Sequence, residues 1–369
     1  MTGRTVRVVS PAEAPWLPSR IVVVGASAGG IPALTTLVRG LDSSFMGAVF
    51  VVLHVPPNGR SVLPRILERA GKLPAAHPRD REPIAPAQIY VAPPDRHMVV
   101  DQGIIRVTRG PHENGYRPSV DALFRSAAMS YSTRVIGVVL SGALADGAAG
   151  LAAVRSRGGV AIVQDPADAS VSEMPENALH HVVDALKMTA DEMPGVITAL
   201  AAEDPPPPRD PSVGETFPDL EIVQGEHADP EQLGRAPAGL VCPDCGGSLF
   251  EVEDDILRYR CRVGHGWTGD ALAGAQGRQL EEALWAALRV LEEQKAVQRR
   301  LMDRALAGGR MAAVERIESR QARRDRLASK LRGAIVTLGS RGGPTSPDDV
   351  VDIDQETMDL HDHEGEALL

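Results

Sequence analysis

Ser27 stands in Gly25-Ala26-Ser27-Ala28-Gly29, a G-x-S-x-G pattern after the apolar run "IVVV" and before the apolar-periodic "IPALTTL". Small neighbours let a chain turn sharply from strand to helix and lift a hydroxyl above a sheet edge. A glycine-rich turn at a helix start is also how a phosphate is cradled. The dinucleotide form of that loop needs a glycine where Ser27 stands, and an acidic residue after the second strand, where this chain has His54. A serine hydroxyl reacts near neutral pH only when a base takes its proton and an acid orients that base. His54 closes "VFVVLH" and Asp146 follows "VIGVVLSGALA", so both are placed at strand ends. Taken singly, His54 reads as a solvated loop histidine and Asp146 as a helix N-cap before Gly147. Ser, His and Asp at three strand ends read as a nucleophile, a base and an orienting acid.

A second cluster has metal-ligand spacing. Cys242, Cys245, Cys261 and His265 form C-x2-C, a fifteen-residue gap and C-x3-H, which uses every cysteine of the chain. Four such ligands make a closed, structural zinc site. The bland alternative is three ordinary thiols. "CPDCGG" reads as a zinc knuckle and "FEVEDDILRYR" as a hairpin with an Asp-Asp turn. So short a segment buries little core, and a metal would supply its folding free energy.

These residues need positioning elements. Strands are predicted over 20–25, 48–54, 88–92, 135–141 and 160–164, and helices over 31–40, 61–70, 119–131, 146–157 and 173–181. The alternation, with strands apolar nearly throughout, predicts an α/β domain with a mostly parallel, doubly wound, Rossmann-like sheet. "GIIRVTRG" beside "QIYVAPPDRHMVV" reads as an added hairpin. The predicted organisation is a lead-in (1–19), a catalytic domain (20–200), a proline- and acid-rich linker (201–238), a zinc-ribbon-like module (239–269), an α-helical hairpin (270–338) and an acidic, disordered tail (339–369). In the hairpin, Leu280, Leu284, Leu288 and Leu291 form an apolar stripe, and "AGGR" at 307–310 breaks the helix.

The composition, 43% hydrophobic and 24% charged over 369 residues, is that of globular domains. A net charge of −10 disfavours wholesale nucleic-acid binding. No apolar run approaches the roughly 18–20 residues that span a bilayer, so direct membrane insertion is not expected. Three cysteines are too few for a disulfide framework, and the N-terminus lacks the apolar centre of a signal peptide, so a cytoplasmic location is expected.

The ordered motifs "VVVGASAGGIPAL", "VVLHVPPNGRSVLPRIL", "IYVAPPDRHMVV", "YRPSVDALFRSAA", "GVVLSGALADGAAGL" and "GGVAIVQDPADASVSEMPENAL" resemble the catalytic domain of the chemotaxis-type protein-glutamate methylesterases, the CheB-like domain, over about 20–200. The resemblance implies a serine esterase with Ser27 as nucleophile, His54 as base and Asp146 as the orienting acid. Its substrates would be γ-glutamyl methyl esters on methylated chemoreceptor-type helical proteins, with deamidation of receptor glutamines as a companion activity and no catalytic cofactor. The family's "TGMGxDGA" is "SGALADGA" here, with Ala143 at the methionine and Leu144 at a glycine. Backbone N–H groups of Ala28 and Ala143 are the oxyanion candidates, and the altered loop keeps open an alternative, a weak or inactive esterase-fold scaffold in a sensory complex. Arg117 is a substrate-contact candidate, although "RPSVD" also reads as a helix start; His97, Arg109, His112 and Asp121 fall in family-like stretches. About 20 residues precede the first strand, too few for the family's phosphoacceptor receiver domain, so phosphorylation in cis is not expected. Residues 239–338 would replace it as a surface for docking a signalling protein or for self-association.

Overall fold

Uninterrupted β-branched runs are satisfied only by strands covered on both faces. In a computed structural model, which describes residues 20–58, 61–207, 223, 237–252 and 256–339, these runs form the centre of one parallel sheet. In chain order the elements are β1 (Ile21–Ala26), α1 (Gly30–Arg39), β2 (Ala48–Leu53), α2 (Leu63–Ala70), β3 (Ala75–Ala76), β4 (Glu82–Pro83), β5 (Gln88–Val91), β6 (His97–Asp101) and β7 (Ile104–Thr108). There follow α3 (Val120–Tyr131), β8 (Val135–Val139), α4 (Ala148–Ser156), β9 (Val160–Gln164), α5 (Glu173–His181), β10 (Leu186–Met188) and α6 (Met193–Ala202). The seven-stranded sheet has the order β10-β9-β8-β1-β2-β5-β3. Alternate side chains of its strands serve two cores. Ile21, Val23, Phe50 and Val52 pack with Val120, Leu123 and Phe124 of α3. Val22, Val24, Val49 and Val51 pack with Leu34 and Leu37 of α1 and Ile197 of α6.

Register is what matters for the site. Ile21 pairs with Ala48 on one side and Val135 on the other, so β2, β1 and β8 run level. The chain order reverses at β1, and the crevice outside the carboxyl ends of strands at such a point is where open α/β sheets bind ligands. Predicted strand and helix boundaries agree to within a few residues. The helix expected from 146 begins at Ala148, leaving Asp146 in the preceding loop. The added hairpin is β6–β7, while Gln88–Val91 joins the main sheet instead. The short strands β3, β4 and β10 and helix α6 were not anticipated.

The first compact unit of the chain reaches Ala271. It therefore includes a four-stranded antiparallel ribbon of β11 (Pro237–Val241), β12 (Ser248–Val252), β13 (Arg258–Cys261) and β14 (Gly266–Thr268). The expected hairpin is β12–β13; its turn at 253–255 lies outside the described residues, as do the lead-in, the tail beyond 339 and most of the linker. Val223, in that linker, is buried and its carbonyl accepts from Thr108 Oγ1.

The second unit, from Leu272, is a helical pair, continuing α7 (Gly269–Ala307) and α8 (Met311–Gly339). Lys295 pairs with Asp325 and Glu292 with Arg332, so the helices run antiparallel. The break falls at Gly308 and Gly309, as "AGGR" predicts. Leu288, Ala328 and Ile335 are buried with Leu284 and Leu291 against them, whereas Leu280, expected in the same stripe, is exposed.

Candidate active site and metal-binding cluster

Ser27, His54 and Asp146 converge at the carboxyl ends of β1, β2 and β8, and all three are buried. The ladder continues one step past the strands: His54 N–H donates to Ala26 O, and Ser27 N–H to Ser141 O. His54 Nδ1 lies 3.1 Å from Ser27 Oγ. His54 Nε2 lies 2.8 Å from Asp146 Oδ2. A carboxylate accepts only, so Nε2 carries the hydrogen and Nδ1 presents its lone pair to the serine hydroxyl.

Asp146 is not the cap of the helix that follows it. Its carboxylate accepts from Val120 N–H at 2.7 Å and Asp121 N–H at 3.2 Å, at the N-terminus of α3. It also accepts from Ser119 Oγ at 2.9 Å and Asn114 Nδ2 at 3.0 Å. Gly25 permits this approach, since a side chain there would strike Val120. Burial alone would raise the Asp146 pKa, but the bonds from His54, Asn114 and Val120 outweigh it and hold the group below its ordinary value. Its neighbour Asp121 goes the other way. Burial, then the Asp146 charge, pushes Asp121 up to about 7.

Two supporting residues escaped the sequence reading. Tyr116 stacks flat on the His54 ring, with centroids 3.7 Å apart and planes at 2°. Asn114 donates through Nδ2 to both Asp121 Oδ2 and Asp146 Oδ1. Both sit in the turn Glu113-Asn114-Gly115-Tyr116, whose central residues have φ of 55° and 82°. An Asn-Gly pair between two mutually bonded residues is the signal of a tight turn with positive φ at both centres, and it was present to be read.

Of the oxyanion candidates, Ala28 follows Ser27 in the chain and Ala143 follows Gly142, which packs on Ser27. Ser141 Oγ donates to Ala28 O, fixing that peptide. Among the described residues, neither Ala28 N–H nor Ala143 N–H has a hydrogen-bond acceptor. Gly142 packs directly behind Ser27, where an added Cβ would sit 2.8 Å from Ser27 Cβ. Leu144 holds the left-handed φ of 66° that its glycine-type position requires. Helix α5 secures it: Leu144 N–H donates to Glu173 Oε2 at 2.8 Å, and Asn177 Nδ2 donates to Leu144 O at 2.7 Å.

Arg117 lies apart from this group, its guanidinium spent on Asp95 Oδ1 and Gly110 O. Ser119 caps α3, accepting from Ala122 N–H, as the helix-start reading of "RPSVD" expects. Arg109 pairs with Asp95. His97 is buried and bonds Pro111 O through Nε2. Burial pushes the His112 pKa down to about 4.

Cys242, Cys245, Cys261 and His265 bring their four ligand atoms within 4.8 Å of one another. The Cys245–Cys261 sulfurs are 3.6 Å apart, and His265 Nδ1 lies 3.6 Å from Cys261 Sγ and 3.8 Å from Cys242 Sγ. A tetrahedral zinc ion with ligands at about 2.0–2.3 Å sets edges of about 3.3–3.8 Å, so the cluster fits that ion. Hydrogen bonding to Cys261, then to His265, draws the Cys242 thiol below its ordinary value, and the same contact with Cys242 pushes Cys261 above its own.

A profile of the family described as CheB methylesterase matches residues 22–197. A Leptospira interrogans protein provisionally named protein-glutamate methylesterase/protein-glutamine glutaminase is 36% identical over 159 residues, 43% of this chain and 82% of that protein. A Caulobacter vibrioides protein-glutamate methylesterase/protein-glutamine glutaminase 2 is 39% identical over 170 residues, 45% of this chain and 49% of that one. The crystal structure of the Thermotoga maritima CheB methylesterase catalytic domain is 28% identical, with a TM-score of 0.48, over 50% of this chain and 100% of that chain.

Proposed function

The chain belongs to the CheB methylesterase family, and from that premise we propose that it hydrolyses γ-glutamyl methyl esters on chemoreceptor-type helical proteins through Ser27, His54 and Asp146. The observation that carries this reading is the unbroken relay from Ser27 Oγ through His54 to Asp146 at three level strand ends.

In the proposed reaction Ser27 Oγ attacks the ester carbonyl while His54 Nδ1 takes its proton. Asp146, held ionised by its donors, stabilises the imidazolium. The oxyanion takes the N–H groups of Ala28 and Ala143. Collapse breaks the bond to methoxide, which leaves as methanol with the proton from His54. Water then attacks the acyl-serine, His54 accepts one of its protons and returns it to Ser27 Oγ as the acyl bond breaks, and the glutamic acid so formed releases its remaining proton to solvent. A glutamine side chain would follow the same path with ammonia as the leaving group. None of these steps uses a metal.

The cysteine cluster is read as a structural zinc site, its four protein ligands leaving no open position for chemistry. Among the described residues no helix is long and apolar enough to cross a membrane, and we carry a cytoplasmic setting as part of the proposal. Docking or self-association is assigned within 239–338 to the helical pair, which exposes Trp285, Val297 and Leu301. A chain that stays monomeric and retains no signalling partner in pull-downs would remove that role.

The decisive experiment is methanol release from methylated chemoreceptor cytoplasmic domains, comparing wild type with Ser27→Ala. Release lost on substitution supports the esterase; no release from folded wild type over several receptors returns the chain to the scaffold reading.

A further inference from the structure

The ribbon and the candidate active site share one short segment. Three consecutive ribbon residues act on it, directly after His265. His265 is one of the four clustered ligands. Gly266 bonds both ways, its N–H donating to His112 O at 3.0 Å and its carbonyl accepting from Asn114 N–H at 2.8 Å. Trp267 is buried against Gly115, where an added Cβ would lie 3.3 Å from the indole. Thr268 N–H donates to Asn114 Oδ1 at 2.8 Å. Asn114 therefore has one end of its amide on the ribbon and the other on Asp146 and Asp121.

The neighbouring residue locks the arrangement. Glu113 is buried and pairs with Arg125 of α3 and with Arg258 and Arg260 of β13. Arg260 in turn bonds Gly264 O, inside the loop between Cys261 and His265. The same turn ends at Tyr116, the ring under His54. One turn of four residues thus touches the base and its orienting acid on one side and, on the other, the two ribbon strands that flank the cysteine cluster's loop.

We propose that the metal-loaded ribbon is a built-in support of the esterase centre, acting through Asn114 as a positioning residue for Asp146. The ribbon spans about 30 residues and has only a small apolar centre, including Leu249, Phe250 and Trp267, so its order depends on the ion at its four ligands. Loss of the ion releases residues 265–268, and with them the turn that fixes Asn114 and Tyr116. The esterase is then zinc-dependent although zinc takes no part in its chemistry. The activity part of this proposal rests on the esterase reading; the coupling of ribbon to turn does not.

The test uses the full chain. Zinc content is measured, the ion is removed with a chelator and restored, and hydrogen exchange is followed by mass spectrometry in peptides covering 112–121 and in peptides of β1, β2 and β8. Ser27 labelling by a fluorophosphonate is timed in parallel. Asn114→Gly is the matching variant, because glycine keeps the positive φ while removing the amide. Stripping should raise exchange in 112–121 and leave the three strands protected, and slow labelling about 10- to 100-fold, the effect of losing a hydrogen bond to a charged group. Asn114→Gly should slow labelling similarly with zinc bound and lose little more when stripped. Re-addition of zinc should restore wild type only. The proposal is overturned if the chain holds no metal, if 112–121 stays protected after stripping, if the strands lose protection with it, or if the two perturbations simply multiply. If loaded wild type never labels at Ser27, the esterase reading fails, and the exchange data alone decide the coupling.

Discussion

His54 turns Nδ1 to Ser27 Oγ and Nε2 to Asp146 Oδ2, at 3.1 and 2.8 Å. The tautomer is set by Asp146, whose other contacts are all donors, so its oxygens have no role except to accept. Asp146→Asn would point amide hydrogens at those donors or at Nε2, and so favour the hydrogen on Nδ1, where it blocks proton abstraction. Ser27 labelling in Asp146→Asn should fall by about 10^4-fold, the cost of a wrong tautomer in such a relay. A folded variant labelling within a few-fold of wild type would remove Asp146 from the proposed mechanism.

Asp121 and Asp146 are two buried carboxylates joined by one Asn114 amide, and their pKa values part in opposite directions. Asp121 titrates at about 7 when folded and near 4 when unfolded, so between these values the folded state binds more protons. Stability therefore falls as pH rises through that window. Asp146, with its depressed value, contributes stability above its unfolded pKa that is lost only as pH falls through the folded one. Urea midpoints at pH 5 and pH 7.5 should drop with rising pH more steeply in wild type than in Asp121→Asn. Equal drops would refute the raised Asp121.

The places of Ser27 and His54 were legible because each directly follows an apolar strand, whose end is marked by where its apolar run stops; Asp146 lies further on, in the loop between β8 and α4. The relay's support was not legible. Asn114 and Tyr116 lie in a turn whose importance depends on contacts with Gly266, Trp267 and Thr268, some 150 positions away, and no local period reports such a pairing. Arg117 illustrates the converse. Its type suggested an acidic partner, and the partner in the structure is the chain's own Asp95. The ligand spacing of the cysteine cluster was readable for another reason, since Cys242 and Cys245, and Cys261 and His265, are pairs close in sequence. That the ribbon's last strand lies against the Asn114 turn was not.

The cysteines provide a check independent of activity. Cys245 is exposed, while Cys242 and Cys261 are buried. In a zinc-loaded chain all three sulfurs are ligands and react slowly with a thiol reagent, Cys245 included. Chelation should release one zinc per chain and make the three thiols titratable together. Rapid modification of Cys245 alone in the untreated protein, with no metal released, would exclude a closed four-ligand site.

Leu144 carries a conformation that suits glycine, and a left-handed backbone costs a residue with a Cβ about 1 kcal/mol. Leu144→Gly relieves that strain but adds freedom to the unfolded chain, a cost of similar size. The variant should therefore melt within a few degrees of wild type and label Ser27 at a comparable rate. Leu144→Val is the contrasting test, because a β-branched residue resists positive φ more strongly. It should lower the melting temperature and slow labelling, since straightening this residue breaks the bonds to Glu173 and Asn177 and shifts the adjacent Ala143, the proposed oxyanion donor. If valine is tolerated as well as glycine, the loop is not held in the left-handed form, and Ala143 loses its claim as an oxyanion donor.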